Sequence, residues 1–142
     1  MINPLELYTN IKAELEKEAT VASESKAAVS SGVTTVCYMP DTQPVIDTPA
    51  QIKLVEEIFN NIGICKVKVL AALTKGLDGN KLSSMAELTE SGAVGLTNCL
   101  NPIRDSLVLR RAMEYASGQD ITIFYQPPLS FSSRKGPGGT RR

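Results

Sequence analysis

Histidine and tryptophan are both missing from this 142-residue chain, and aromatic residues make up only 5% of it. Without histidine the chain alone cannot build a Ser/His/Asp or Cys/His nucleophile, an imidazole proton shuttle or a zinc site on imidazole ligands. Any chemistry falls to Asp, Glu, Lys, Cys or Tyr. Cysteine is scarce: Cys37, Cys65 and Cys99 each sit among apolar neighbours and none belongs to a CxxC pair. They read as small buried hydrophobes in a reducing cytoplasm rather than a disulfide framework. Long apolar runs are missing too, since none nears the ~18 residues of a membrane span. The opening MINPLELYTNIKAE lacks the basic end and apolar run of a secretion signal. Neither membrane insertion nor secretion is expected.

Net charge is absent only in sum. The 15 basic and 15 acidic residues balance, but four of the basic ones (Arg134, Lys135, Arg141, Arg142) lie in residues 126–142 beside no acid. Residues 1–125 therefore hold 11 basic residues against 15 acidic, a net −4. The last 17 residues, QPPLSFSSRKGPGGTRR, hold three Pro, three Gly and three Ser, a composition expected to stay disordered. They carry no spaced aromatics for stacking bases, so nucleic acid is not an expected partner. The chain suits one domain, for which about 100–150 residues is typical, and residues 1–125 are its expected extent.

Within that body, amphipathic stretches alternate with short β-branched runs. A helix is predicted over 18–31, stopping at Gly32, and a buried strand over 33–39 (VTTVCYM), closed by Pro40. Thr48, Pro49 and Gln51 mark the start of a helix carrying Ile52, Val55 and Ile58 on one stripe and ending before Gly63. A strand over 65–70, a short helix over 83–90, a strand over 93–97, a helix over 106–117 capped by Asp105 and a strand over 121–125 complete the series. Such alternation is the signature of βαβ units around a parallel sheet. It closes either as part of a (β/α)8 barrel or as an open doubly wound sheet, and in both the loops after the strands carry function.

Those loops begin at Pro40, Ala71, Asn98 and Gln126. Asp41 and Thr42 offer a carboxylate and a hydroxyl but read first as a turn. Thr74-Lys75-Gly76 to Gly79-Asn80 lacks phosphate-loop spacing and reads as a flexible surface turn. Cys99 has no histidine to activate it and reads as structural. Tyr125 can hydrogen-bond a ligand.

Two stretches, KAAVSSGVTTVCYMPDTQPVIDTPAQI and AALTKGLDGNKLSSMAELTESGAVGLTNCLNPIRDSLVLRRAMEYAS, cover most of residues 26–117. In loop order they resemble the bacterial dihydroorotases of the cyclic amidohydrolase superfamily. The resemblance implies a (β/α)8 barrel, of which this chain is roughly the first half, and a zinc-activated hydroxide that opens or closes a ring amide. It does not carry over the site. The His-x-His metal motif and the following substrate-binding Arg would fall within PLELYTNIKAELEKEAT, which contains neither residue type. Asp41 stands where the family has a substrate-binding Asn, and Asn98-Cys99-Leu100 falls where a metal-bridging Asp is implied. Phe124-Tyr125-Gln126-Pro127 replaces a strand end with a metal-binding His.

The chain therefore resembles the inactive dihydroorotase homologues that accompany aspartate carbamoyltransferase in pyrimidine biosynthesis. No catalytic residue, metal or cofactor is expected, and Asp41 and Asn98 are the candidate substrate contacts. The likeness stops near Pro127, which reads as truncation or a frame shift with an incidental tail. A half-barrel has open sheet edges, so a second copy is an expected partner beside the carbamoyltransferase. The alternatives are a truncated cyclic amidohydrolase, an enzyme with a shifted site built from Asp41, Asn98 and Tyr125, and an independent doubly wound binding module.

Overall fold

A computed structural model of the chain describes residues 21–127 together with Thr9. The expected tail over 126–142, apart from Gln126 and Pro127, lies outside the described residues. So does the PLELYTNIKAELEKEAT stretch, apart from Thr9.

Helix α1, Val21–Ser30, stops as expected at Gly32, whose φ of 85° is left-handed and whose N–H donates to Val29 O at 3.0 Å. Strand β1, Thr35–Tyr38, leads through a loop into α2, Pro49–Ile62. The start of α2 is held by the buried Gln51, whose Oε1 accepts from the Asp47 N–H, the Thr48 N–H and the Thr48 hydroxyl, each at 2.9 Å. Its end is Gly63 (φ 67°), donating to Phe59 O at 3.0 Å. Strand β2, Lys66–Ala72, is followed by a 3-10 turn at Lys75–Leu77, helix α3 at Met85–Glu90 and strand β3 at Gly95–Thr97. Helix α4, Ser106–Gly118, begins at Asp105, whose carboxylate accepts from the Leu107 N–H at 2.8 Å, the expected cap. Strand β4 is Ile123–Phe124.

The four strands lie parallel in the order β1-β2-β3-β4, with Thr35 opposite Lys66, Leu70 opposite Gly95 and Leu96 opposite Ile123. Consecutive order with no switch point is the winding of a barrel, not of a doubly wound sheet, and the fold is a partial (β/α)8 barrel. The core lies on one face. Val69, Ala71, Leu73 and Leu96 pack there against Ile52, Val55 and Phe59 of α2, Met85 and Leu88 of α3, and Ala112 and Ala116 of α4. Full burial of each large side chain contributes roughly 1.5–3 kcal/mol.

Several expected elements move at their ends. The strand expected over 33–39 contracts to the four residues that find partners in β2, and β2 runs on to Ala72 because Leu70, Ala71 and Ala72 pair with β3. The helix expected from Ser83 begins at Met85, because Ser84, at φ −75° and ψ 74°, lies outside the helical region. Nor is β1 a buried strand. Val36 and Tyr38 pack toward the core, whereas Thr35 and Cys37 are exposed on the other face beside the exposed Lys66 and Lys68. Among the described residues, the helices pack on one face of this sheet. For the same reason the cysteines are not uniformly buried: Cys37 is exposed, Cys65 half-buried and Cys99 buried. On α4, Leu107 and Met113 stay exposed because the sheet covers only the stripe through Val108, Leu109, Ala112 and Ala116.

Candidate functional site at the carboxyl rim of the sheet

In a parallel sheet wound this way the carboxyl ends of all strands open on one rim, and the post-strand loops meet there. The loop after β1 starts at the fully buried Pro40 and folds back on itself, with the Ile46 N–H donating to Pro40 O at 3.1 Å and the Thr42 hydroxyl to Pro44 O at 2.8 Å. It then docks on the end of β2, where the Ala72 N–H donates to Ile46 O at 2.8 Å. Asp41 stays exposed at the start of this turn. Asp47, further along, reaches the next loop, its Oδ2 accepting from the Gly76 N–H at 3.0 Å.

The loop after β2 is not the flexible surface turn expected of its sequence. Thr74, Leu77 and Gly79 are buried, and Gly76 and Leu77 take successive left-handed conformations at φ 60° and 58°. Gly79, at φ 80°, lies so close to the loop after β3 that a Cβ there would come within 3.1 Å of Pro102 O. Only glycine meets both demands.

The loop after β3 is tied into this arrangement by Asn98, which is 1% exposed. Its Oδ1 accepts from the Thr74 hydroxyl at 2.6 Å, its Nδ2 donates to Asn101 O at 2.9 Å, and the Thr74 hydroxyl in turn accepts from the Gly79 N–H at 2.9 Å. Cys99 adopts φ 52° with its N–H on the Thr97 hydroxyl at 3.0 Å. Burial, followed by the nearby negative charge of Asp41, pushes its thiol up to about 11, against an opposing hydrogen bond from the Asp41 backbone.

The rim thus brings Asp41 to Cys99 and Asn98 to Thr74. Asp41 is left with a solvent-facing carboxylate, and Asn98 has both ends of its amide engaged within the protein. Tyr125, the third member of the shifted site, is half-buried against the helix-side core. Sequence reasoning missed Asp47 and Thr74. Asp47 had a legible signal in its place within the DTP turn. Thr74 had none, because its partner is 24 residues away.

The chain matches the family model described as Dihydro-orotase-like over residues 6–126. The chain belongs to the dihydroorotase-like family. Among curated relatives it is 38% identical over 109 residues to the dihydroorotase-like protein of Pseudomonas aeruginosa, covering 77% of this chain and 26% of that protein. It is 46% identical over 96 residues to the dihydroorotase of a Sulfurihydrogenibium species, covering 68% of this chain and 23% of the relative. The dihydroorotase of Trichlorobacter lovleyi matches at 37% over 109 residues, with 77% and 26% covered. This dihydroorotase-like chain thus spans about a quarter of the length of the relatives it matches.

A zinc centre of the kind the resemblance implies does not fit this part of the fold. A zinc ion needs deprotonated thiolates, neutral imidazoles or carboxylates. Asn98 offers a neutral amide already committed to Thr74 and Asn101, and the Cys99 thiol is held protonated. Among the described residues no group of three or more Cys, Asp or Glu side chains is placed to hold a metal ion. Also among them, no helix is long and apolar enough to cross a membrane.

Proposed function

We propose that this dihydroorotase-like chain is a non-catalytic, cytoplasmic member of its family that supports the assembly of aspartate carbamoyltransferase in pyrimidine biosynthesis. The observation that carries the reading is Asn98. At the place where the resemblance implies a metal-bridging carboxylate, this chain has a buried amide whose acceptor is taken up by Thr74 of the loop after β2 and whose donor is taken up by Asn101 of its own loop. The absence of histidine from the sequence removes the imidazole ligands that the resemblance places on this stretch of the family fold. Two relatives, from Pseudomonas aeruginosa and Pseudomonas putida, carry the name dihydroorotase-like protein, whereas others are named dihydroorotases.

Two measurements test this. Metal analysis of the purified chain, with an assay of dihydroorotate ring opening, is expected to give neither stoichiometric zinc nor turnover, and finding both would sink the proposal. Affinity capture of the tagged chain is expected to bring down aspartate carbamoyltransferase. Its absence from the captured material at native expression levels would remove the assembly role.

A further inference from the structure

The bond network around Asn98 has a chemistry that a carboxylate could not reproduce. The Thr74 hydroxyl gives its one proton to Asn98 Oδ1 and receives the Gly79 N–H, so its donor is used. Asn98 must then accept on one side and donate on the other, toward Asn101 O. A neutral amide does both. An ionised carboxylate accepts only, and would set a negative oxygen against the Asn101 carbonyl in a site that is 1% exposed. The acceptor bond ties the loop after β3 to the loop after β2, and the donor bond holds the loop after β3 to itself. The same two loops meet again where Gly79 lies against Pro102.

We infer that Asn98 is a strut that ties the loop after β3 to the loop after β2 by hydrogen bonds alone, so that a carboxylate at this position weakens the rim and does not recruit a metal. The inference rests on the non-catalytic reading in one respect, that the rim works without a metal.

The test uses the full chain. Asn98→Asp is expected to lower Tm at pH 8 by about 5–15 °C, the size that loss of a buried hydrogen bond and an unpaired buried charge gives in a domain of this length. Added zinc chloride is expected to leave that deficit unchanged, and isothermal titration with zinc to show no stoichiometric binding. An unchanged Tm would overturn the strut. A zinc-dependent rise in Tm with one or more ions bound would overturn the claim that a carboxylate here recruits no metal. Should Asn98→Asp fail to fold, the Thr74 pair decides: Thr74→Ser keeps the hydroxyl and is expected to stay within a few degrees of the unaltered chain. Thr74→Val removes it and is expected to lose about as much as Asn98→Asp. Equal losses in Ser and Val would overturn the proposal. Failure to capture aspartate carbamoyltransferase touches only the functional reading, whereas these Tm values touch only the strut.

Discussion

The three cysteines of the chain occupy three different environments, and their reactivity separates them. Cys37 lies exposed on the uncovered face of β1, Cys65 is half-buried and Cys99 is buried. With its thiol pushed up to about 11, Cys99 holds only about one thiolate in a thousand at pH 8, and the thiolate is the reactive form. Burial also raises the Cys37 thiol, but access there is open. Alkylation of the native protein at pH 8, followed by peptide mass mapping, is expected to modify Cys37 first and to leave Cys99 unmodified until denaturant is added. Labelling of Cys99 as fast as Cys37 would contradict the geometry of the rim. None of these differences was legible in the sequence, where all three cysteines have apolar neighbours. A β-branched run such as VTTVCYM announces a strand, but whether its second face is covered depends on what packs there.

At the scale of the element, most of the fold was legible because its boundaries are set by local chemistry. Thr48, Pro49 and Gln51 open α2, Gly63 closes it and Asp105 opens α4, each through contacts within four residues along the chain. The strand ends that moved, at β1, β2, β3 (Gly95–Thr97 for 93–97) and β4 (Ile123–Phe124 for 121–125), are set by pairing across the sheet, which local patterns do not record. Gly95 belongs to the same class. A Cβ there would stand 2.7 Å from the Phe124 ring and 2.9 Å from Thr122 O, and although a ring can turn aside, a backbone carbonyl in the ladder cannot. Gly95→Ala is therefore expected to cost about 1–3 kcal/mol by forcing β3 and β4 apart. Gly118→Ala, where nothing lies within 4 Å of the added carbon, is expected to be neutral or slightly stabilising. Urea unfolding of the two variants checks both signs, and equal stabilities would show that the close approach at Gly95 carries no energetic weight.

The described residues form a parallel sheet with helices packed on one face and the candidate site spread along one rim. The family was legible in the order of the loops. The side-chain bonds along the rim were not, because Asp47 meets Gly76 across 29 residues and Thr74 meets Asn98 across 24. Those long-range bonds bear on how the molecule opens. The N–H groups of Gly79 and Asn101 belong to the loops after β2 and β3, yet each is held by a bond to the Thr74–Asn98 pair. Separate loops would exchange their amide hydrogens at unrelated rates. Here the two are expected to exchange together, with one common opening free energy that Thr74→Val lowers for both. Hydrogen exchange resolved to single amides reads this directly, and a Gly79 that exchanges freely while Asn101 stays protected would show that the two loops do not open as one unit.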